Sequence, residues 1–217
     1  MPEFSCILFD LDGTIVDSAP GITATLAYTF EQLGLPIPSP AELVPYVGPP
    51  ILDSFRDLAG FTPEESLRAL AIYRPQYLKT GVFDAKVYPG IREVIKAIRE
   101  ADVPLSLATS KPETPATLIL EHYDLLKYFD VITGASDDEK RSAKADVVEE
   151  ALKRLTDYGA DVSNPVMVGD RHHDVVGAAA HDVPTIFVRW GYGSRPEEVG
   201  TIGVASDAAE LTRLLLG

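Results

Sequence analysis

The sequence lacks several features that mark whole classes of protein. It contains a single cysteine, Cys6, so a disulfide bond within the chain is excluded. No uninterrupted apolar run approaches the roughly 18 residues of a membrane-spanning helix, and we expect no membrane partner. The first ten residues have no basic region before Asp10, which predicts a cytoplasmic protein without a signal peptide. Because Cys6 lies in an apolar run typical of a strand, we expect a buried and unreactive thiol.

Basic residues are also scarce. The chain has 19 lysines and arginines against 33 aspartates and glutamates, which gives a formal net charge of −14. A surface of this sign repels nucleic acid, and no cluster of basic residues offsets it, so a nucleic acid polymer is excluded as a partner. If the ligand is an anion such as phosphate, the positive charge must be local or must come from a metal ion.

The rest of the composition is that of a globular protein. Of the 217 residues, 46% are hydrophobic and 24% are charged, which suits one domain or one domain with an insertion. Composition leaves the oligomeric state open, with a monomer and a homodimer equally compatible.

Short apolar runs alternate with amphipathic helical patterns along most of the chain. Continuously apolar runs are typical of strands that are buried on both faces, as in a parallel sheet. The alternation predicts the α/β class, with a Rossmann-like, doubly wound and mostly parallel sheet. The predicted strands are residues 6–9, 103–108, 131–132, 166–168 and 183–188.

One long segment breaks this alternation. From Ile15 to Val87 the sequence shows helical periodicity, proline-rich joints and no convincing strand. We interpret residues 15–87 as a small helical domain, called the helical insert below. The core domain is then predicted to comprise residues 1–14 and 88–217.

The most informative local pattern follows the first predicted strand. Asp10 ends that strand, and Asp12 lies two residues later, so both carboxylates should face one site beyond the end of the sheet. Gly13 permits the sharp turn that follows. Two crowded carboxylates repel each other unless a cation or a proton relieves them, and Mg²⁺ prefers such oxygen ligands. For the nearby Asp17, capping of the next helix is nearly as good an interpretation as a catalytic role.

A second acidic pair follows the fourth predicted strand. Asp170 ends the apolar run, and Asp174 lies four residues later, which is one helical turn. Together with Asp10 and Asp12, this pair would bring up to four carboxylates to one edge of the sheet. Such a cluster favours a bound metal ion.

Two further segments offer groups that suit an anion. Thr109 and Ser110 follow the second core strand, where a hydroxyl and free N–H groups can bind phosphate, although a solvated turn is an equal alternative. Lys144 opens an amphipathic helix, a position that the helix dipole disfavours for a cation. Nearby carboxylates or an anion would explain this lysine, and an ordinary surface lysine is the alternative.

The ordered set of these motifs resembles the haloacid dehalogenase superfamily, and the resemblance spans nearly the whole chain. The motifs are the Asp-x-Asp-Gly-Thr segment that begins at Asp10, the later Ser/Thr pair, the helix-opening lysine and the Gly-Asp-x-x-x-Asp segment that ends at Asp174. Three segments look more narrowly like its phosphoglycolate phosphatase and 5′-nucleotidase-like branch: residues 144–147, 169–174 and 190–194.

The resemblance implies a chemistry for the carboxylates. Asp10 would attack phosphorus and form an aspartyl-phosphate, and Asp12 would donate a proton to the leaving alcohol and later accept one from water. Mg²⁺ would be held by the Asp10 carboxylate, the Asp12 backbone carbonyl and Asp170. Asp174 would bind the metal through a water molecule, or it would contact the metal ligands without binding the metal itself.

The resemblance also implies how the phosphoryl group and the leaving group are recognised. Thr109 and the Ser110 N–H would hold phosphoryl oxygens, and Lys144 would balance the negative charge. The helical insert would be a cap that closes over the site, with hinges at residues 15–18 and 87–90. Within the insert, the loop from Gly48 to Pro50 could face the substrate.

Other side chains near these motifs have weaker interpretations. Arg56, Arg74 and Tyr77 of the insert are candidate substrate contacts, but for each of them taken singly we expect a surface ion pair or internal packing instead. His172 and His173 flank the metal motif, and we expect them to orient the loop rather than bind the metal.

Several functions share these features. We expect a Mg²⁺-dependent phosphatase acting on a small-molecule phosphate monoester, with phosphoglycolate, nucleoside monophosphates and sugar phosphates all open. A sugar phosphomutase is the alternative enzyme, but Ile22 occupies the position where such mutases carry a histidine. A non-catalytic protein that binds a phosphate ligand is the alternative of another class.

Overall fold

The structure, a computed structural model, describes residues 3–217 and consists of a parallel sheet, flanking helices and an inserted helical segment. The strands are β1 (Cys6–Phe9), β2 (Val16–Asp17), β3 (Lys86–Val87), β4 (Leu105–Pro112), β5 (Val131–Ala135), β6 (Pro165–Gly169), β7 (Thr185–Val188) and β8 (Gly203–Ala205). The α-helices are α1 (Ala19–Gln32), α2 (Pro40–Leu43), α3 (Ile51–Asp57), α4 (Pro63–Lys79), α5 (Ile91–Glu100), α6 (Glu113–His122), α7 (Lys144–Tyr158), α8 (His172–Ala179) and α9 (Ala208–Leu216).

The core sheet is doubly wound around β1. Its strand order is β5-β4-β1-β6-β7-β8, and every neighbouring pair is parallel. The chain leaves β1 towards β4 on one side, whereas it leaves β6 towards β7 on the other. The carboxyl ends of β1 and β6 therefore flank the switch point where α/β sheets form their ligand crevice. This architecture confirms the predicted fold class.

Strand β1 shows why an unbroken apolar run predicted a central strand. All four of its residues are buried. Ile7 and Phe9 belong to the core cluster on one face of the sheet, and Cys6 and Leu8 belong to the cluster on the other. Burial raises the pKa of the Cys6 thiol to about 11, so this thiol is neutral at physiological pH and the expected inert cysteine is confirmed.

Two strands differ from the predicted limits. β4 extends to Pro112, with an irregular register between Ala108 and Pro112, so Thr109 and Ser110 lie within the strand rather than after it. The edge strand β8 was not predicted, because three residues, of which only Ala205 is buried, are too few to give a periodic pattern.

The helical insert has its own aromatic core. Phe55 is fully buried and stacks against Phe61 with ring centroids 5.8 Å apart, and Tyr73 stacks on Tyr77 at 5.5 Å. A capping box of Thr62 with Glu65 starts α4. α4 also packs against α1 and α3, so the helices of the insert form a packed unit.

The prediction that residues 15–87 contain no strand was wrong. β2 and β3 form a two-stranded antiparallel ribbon in which Val16 pairs with Val87 and Asp17 pairs with Lys86. Two residues per strand are too few for an alternating pattern to be visible in the sequence. The ribbon lies where the chain enters and leaves the insert, and the domain limits themselves stay a prediction.

Two helices begin at residues that the sequence marks as helix starts. α7 begins at Lys144, as predicted, and the Asp207 side chain caps α9 by accepting a hydrogen bond from the N–H of Glu210 at 2.8 Å. Within residues 3–217, none of the helices combines the length and the apolar character that crossing a bilayer requires.

Candidate active site

The four predicted carboxylates converge at the switch point of the sheet. Asp10 follows β1 and Asp170 follows β6, and the Asp10 N–H donates to the carbonyl of Val168 at 2.9 Å, which ties the two strand ends together. Asp10, Asp12, Asp170 and Asp174 are each exposed by 4% or less. The structure therefore brings together two pairs of acidic groups that lie 160 positions apart in the sequence.

Lys144 neutralises part of this charge. Its Nζ lies 2.8 Å from Asp10 Oδ1 and 2.7 Å from Asp174 Oδ1, and it donates to the carbonyl of Ala108 at 3.0 Å. The lysine is buried at the first turn of α7, so the surface-lysine alternative is wrong. The two carboxylates offset the unfavourable helix dipole at this position.

Burial and mutual repulsion perturb the carboxyl groups. Burial raises the pKa of Asp10 to about 6, with Asp174 and Asp12 adding to the rise and Lys144 opposing it. Burial, followed by the charges of Asp174 and Asp10, holds the pKa of Asp170 well above its usual value. For Asp174, burial is outweighed by Lys144 and neighbouring donors, and its pKa lies below the usual value. Perturbed carboxyl groups clustered in this way are typical of functional sites.

The Asp170 carboxylate is held in a narrow glycine-lined space. Its Oδ2 accepts a hydrogen bond from the Tyr192 N–H at 2.6 Å, and its Oδ1 accepts one from the Thr14 hydroxyl at 3.3 Å. A Cβ atom on Gly13 would lie 2.3 Å from Asp170 Oδ2, and one on Gly191 would lie 2.2 Å from it. Only glycine fits at both positions, so the surrounding backbone fixes the orientation of this carboxylate.

The donor set fits a divalent cation. Within residues 3–217, the buried cluster contains four carboxyl groups, and two ammonium groups contact them, those of Lys144 and Lys111; with all four carboxyl groups ionised, two negative charges would remain uncompensated. Asp12 Oδ1 is also buried and has no hydrogen-bond partner in that part of the chain. Hard oxygen ligands of this kind suit Mg²⁺.

A second possible metal group consists of Asp10, His173 and Asp174, whose ligand atoms lie within 4.8 Å of one another. However, the Lys144 ammonium already contacts both carboxylates of this group. Burial lowers the pKa of His173 to about 4, so its imidazole is neutral, and its Nε2 lies 3.8 Å from Asp174 Oδ1. We therefore favour the Asp10 and Asp170 side of the cluster for a metal, with Lys144 filling the other side.

Thr109 and Ser110 lie beside the nucleophile candidate at the end of β4. Both are buried, so the alternative of a solvated turn is wrong. The Thr109 hydroxyl accepts from the Lys111 N–H at 3.3 Å, and the buried Ser110 hydroxyl has no partner within residues 3–217. An unpaired buried hydroxyl at this point is available to an incoming anion.

Lys111 is a site residue to which the sequence analysis gave no role. Its Nζ lies 3.0 Å from Asp12 Oδ2 and donates to the Tyr77 hydroxyl at 2.9 Å. The same nitrogen lies 4.6 Å from the centre of the Tyr77 ring. The sequence contained one signal for this role: Lys111 directly follows Thr109 and Ser110, near the carboxyl end of β4, where the site lies.

A cavity of about 300 Å³ lies between the helical insert and the core. Asp12, Ser110 and Lys111 line its core side, and tyrosines and aliphatic side chains line much of the rest. Of the insert residues predicted to face the substrate, four lie on this wall: Gly48, Pro49, Arg74 and Tyr77. The wall combines apolar surface with a few polar groups, as small-molecule sites do.

Two of the predicted insert contacts have other partners. Arg56 is not part of the cavity lining; it is exposed and forms ion pairs with Asp53 and Asp57, so its surface interpretation holds. Arg74 pairs with Glu139 at 2.5 Å and also donates to the carbonyl of Asp137 at 3.0 Å. Arg74 thereby links the insert to the core at the rim of the cavity.

The histidine-containing segment after β6 contacts the insert. The His173 ring lies beside Gly48, where its Cε1 would be 3.4 Å from an added Cβ atom, an ordinary van der Waals distance. The neighbouring Arg171 donates to the carbonyl of Val47 at 3.0 Å and pairs with Glu197 at 3.0 Å. His172 is exposed. These contacts agree with a role in orienting loops.

Tyr192 is a second residue that the sequence analysis did not assign. Its hydroxyl accepts hydrogen bonds from the N–H groups of Ser18 at 2.8 Å and Ala19 at 2.9 Å, and it donates to Asp17 Oδ1 at 2.7 Å. The start of α1 is therefore fixed by the same loop that holds Asp170. Asp17 lies in β2 and also accepts from the Ala19 N–H at 3.3 Å, in agreement with the capping interpretation.

Comparison with known proteins places this site in a family. The chain matches the model of the haloacid dehalogenase-like hydrolases over residues 7–188. It is 36% identical over 192 residues to a 5′-nucleotidase of Pseudomonas aeruginosa, an alignment that covers 88% of this chain and 85% of that protein. It is 40% identical over 188 residues to the tyrosine-protein kinase PtkA of Mycobacterium tuberculosis, which covers 86% of this chain and 62% of the kinase. The chain thus spans less than two thirds of that relative.

The structural comparison agrees with the sequence matches. A crystal structure described as a predicted phosphatase from Clostridium acetobutylicum aligns with a TM-score of 0.92 at 36% identity, over 97% of each chain. The matched range of residues 7–188 includes both acidic pairs, the Ser/Thr pair and the helix-opening lysine, so the resemblance seen in the sequence is confirmed. The chain therefore belongs to the family of haloacid dehalogenase-like hydrolases.

Proposed function

We propose that the chain is a Mg²⁺-dependent phosphatase that hydrolyses monoesters of small phosphorylated metabolites through an aspartyl-phosphate on Asp10. The observation that supports this best is the arrangement of Asp10 and Asp12 at the end of β1. Asp10 is paired with Lys144 at 2.8 Å, and Asp12 lines the cavity beside Lys111. The 5′-nucleotidase and phosphatase names among its relatives point in the same direction.

In the first step, a carboxylate oxygen of Asp10 attacks phosphorus while the bond from phosphorus to the ester oxygen breaks. Lys144 contacts Asp10 Oδ1, which orients the carboxylate and leaves its other oxygen for the attack. Asp12 gives its proton to the departing ester oxygen, so the product leaves as a neutral alcohol. The phosphoryl group is then bound to Asp10 as an acyl phosphate.

In the second step, water replaces the aspartate. Asp12, now a carboxylate, accepts a proton from the attacking water, and the remaining hydroxide forms the new bond to phosphorus. The bond between phosphorus and Asp10 breaks and returns the free carboxylate. Inorganic phosphate is the second product, and Asp12 is protonated again for the next cycle.

The surrounding residues bind and orient the phosphoryl group. The Thr109 hydroxyl and the Ser110 N–H would hold its oxygens at the end of β4, and Lys144 would balance its charge. The Asp10 carboxylate, the Asp12 carbonyl and Asp170 would hold Mg²⁺. When bound, Mg²⁺ supplies positive charge that lets a carboxylate approach an anionic ester.

Asp174 would hold the Asp170 loop and Lys144 in position. Its Oδ2 accepts from the N–H groups of Asp170 at 3.2 Å and Arg171 at 3.0 Å, and its Oδ1 pairs with Lys144. It therefore fixes both the loop that carries the metal ligand and the lysine that orients the nucleophile.

The insert would act as the cap that selects the leaving group. The cavity between insert and core has room for a small metabolite, and its walls contain Gly48 and Tyr77 from the insert and Ser110 from the core. Phosphoglycolate, nucleoside monophosphates and sugar phosphates are the candidate substrates. A screen of a few dozen phosphate monoesters would select among them.

The test is turnover of p-nitrophenyl phosphate with Mg²⁺ and with excess chelator. Asp10→Asn should abolish turnover, because an amide cannot form the acyl phosphate. Asp157→Asn, on an exposed position of α7, provides a matched control that should retain wild-type turnover. Full activity of Asp10→Asn with Mg²⁺ present would show that the nucleophile is wrongly assigned. Wild-type turnover that does not depend on a metal ion would remove Mg²⁺ from the proposal.

A further inference from the structure

The basic side chains on the cavity wall are already paired with acidic ones. Within residues 3–217, the charged residues that line the cavity are Asp12, Arg74, Lys111, Asp137 and Glu139. Lys111 Nζ lies 3.0 Å from Asp12 Oδ2, and a guanidinium nitrogen of Arg74 lies 2.5 Å from Glu139 Oε1. Asp137 is a third acidic group. With all five ionised, the wall carries one net negative charge.

Arg74 is the charged residue that the insert, within residues 3–217, contributes to this wall, and oxygen atoms of the core occupy its guanidinium. One nitrogen pairs with Glu139, and another donates to the carbonyl of Asp137 at 3.0 Å. The Glu139 side chain is only 6% exposed, so solvent does little to weaken the pair. An arginine held in this way has little positive charge left to attract a second carboxylate.

Much of the remaining wall is apolar. Ile22, Ile51 and Leu70 contribute aliphatic surface, and Tyr46 and Tyr73 contribute aromatic rings. Such a surface stabilises an apolar group by removing it from water. It gives an anionic group nothing to replace the water that the anion loses on entering.

Two of the candidate substrates differ in the property to which this wall responds. Glycolate, the alcohol released from phosphoglycolate, carries a carboxylate that would have to lie in a cavity whose arginine is already neutralised. A nucleoside is uncharged, and its base has a flat face that can lie against tyrosine and aliphatic side chains. The volume of about 300 Å³ also gives far more room than the two carbon atoms of glycolate need.

We propose that the cavity selects phosphate monoesters of uncharged alcohols with an apolar face, such as nucleoside monophosphates, and that Glu139 enforces this choice by neutralising Arg74. The proposal rests on the proposed phosphatase function and names the substrate class of that site. With Glu139 in place, an anionic leaving group meets a neutralised arginine and the acidic Asp137. Without the Glu139 carboxylate, Arg74 is a cation at the rim that can bind a carboxylate.

The test compares two esters that differ in charge and hardly in shape, 4-carboxyphenyl phosphate and 4-carbamoylphenyl phosphate. Their substituent is the part of the leaving group furthest from phosphorus, which directs it towards the rim. The measured quantity is the ratio of kcat/KM for the carboxyl ester to that for the carbamoyl ester, with Mg²⁺ present. Burial raises the pKa of Glu139 and the Arg74 charge opposes this rise, so the assay is run at pH 8 to keep the glutamate ionised.

The wild type should favour the carbamoyl ester by about tenfold, the effect of one unit charge at a partly screened rim. Glu139→Gln keeps the size of the side chain and removes its charge, and it should raise the ratio by about tenfold. Glu139→Asn should act in the same direction, and it suits the backbone, because φ at this position is 60° and asparagine adopts such values more readily than glutamate. Adding Arg74→Met to Glu139→Gln should remove the gain.

Glu198→Gln is the matched control. It removes a carboxylate from another arginine–glutamate pair, the one with Arg189 at 2.7 Å, and Glu198 is not part of the cavity lining. The ratio should stay at the wild-type value. Uridine 5′-monophosphate and phosphoglycolate extend the comparison, since the wild type should prefer the nucleotide and Glu139→Gln should narrow the difference.

The outcomes separate this proposal from the one on which it rests. An unchanged ratio in both Glu139 variants, or a wild type that prefers the carboxyl ester or phosphoglycolate, overturns the selectivity while Asp10→Asn stays inactive. A gain that persists in the double variant overturns the role of Arg74. Failure of the wild type to hydrolyse any of the four esters, or full activity of Asp10→Asn, contradicts the phosphatase function and with it the selectivity.

Discussion

Replacement of Lys144 by methionine tests the electrostatics of the site most directly. The substitution keeps a side chain of similar length and removes the ammonium that lies 2.8 Å from Asp10 and 2.7 Å from Asp174. Methionine has a helix propensity close to that of lysine, so the start of α7 is little affected. The change therefore leaves two buried carboxylates without their shared cation.

The expected magnitude follows from the burial of this group. Removing one partner of a buried ion pair lowers the free energy of unfolding by about 3 to 5 kcal/mol, because the remaining charge is left desolvated. For a chain of this size the melting temperature falls by about 2 to 4 °C for each kcal/mol, so a fall of about 6 to 20 °C is expected. Phosphatase activity should drop by about 10²- to 10³-fold through loss of charge stabilisation.

The loss of stability should depend on pH in a defined direction. Burial already raises the native pKa of Asp10 to about 6, and removing Lys144 raises it further. A carboxyl group whose native pKa exceeds its unfolded value of about 4 destabilises the fold only when it is ionised. The penalty is absent below pH 4, grows as the pH rises and is complete above the native pKa. Asp174, whose pKa lies below its usual value, already pairs with Lys144 at pH 5, so the variant should show a deficit there that becomes larger towards pH 8 as Asp10 ionises.

The assay compares melting temperatures of wild type and variant at pH 5 and pH 8, with and without Mg²⁺. Lys153→Met is the matched control, since Lys153 lies on the exposed side of the same helix. We expect Mg²⁺ to recover part of the loss at pH 8, because it supplies another cation to the same carboxylates. Equal melting temperatures of Lys144→Met and Lys153→Met at pH 8 would refute the ion-pair reasoning, and a deficit that is larger at pH 5 would refute the assignment of its sign.

Three other substitutions test neighbouring parts of the argument. Gly13→Ala places a methyl group against the Asp170 carboxylate and should abolish both turnover and Mg²⁺ binding by calorimetry; retained binding would exclude this geometry. Tyr192→Phe removes the acceptor of two N–H groups at the start of α1, which should lower stability by about 1 to 3 kcal/mol and speed hydrogen exchange of those amides. Phe55→Ala leaves a void in the insert and should cost about 3 to 5 kcal/mol in chemical denaturation, whereas a loss below about 1 kcal/mol would contradict tight packing there.

Most of the core could be predicted because its signals are local. The apolar run of β1 followed by Asp10 combines burial on both faces with a polar residue at the carboxyl end, and a parallel sheet explains both. The run before Asp170 shows the same combination. Neighbouring strand ends then bring these residues together without any further information from the sequence.

The parts that were missed depend on contacts between distant segments. Val16 pairs with Val87 across the whole insert, and nothing within either two-residue strand indicates the partner. Tyr192 binds the start of α1 from a loop on the other side of the site. Lys111 is recognisable only when Tyr77 of the insert is placed beside it, because a lysine after a strand is usually solvated.

The different roles proposed for Asp10 and Asp12 depend on the different surroundings that the fold gives them. Two carboxylates that are neighbours on one strand end would have similar properties if they shared one environment, and a nucleophile and a proton donor must differ. Here Lys144, fixed by the core, contacts Asp10, whereas Lys111, fixed by the tyrosine of the insert, contacts Asp12. Asp10, the proposed nucleophile, is thus oriented by core residues, whereas the lysine that contacts Asp12 also contacts a residue of the insert. Asp12 lines the cavity beneath the insert, where a leaving group would lie, and Asp10 does not line it, which agrees with the different roles proposed for the two carboxyl groups.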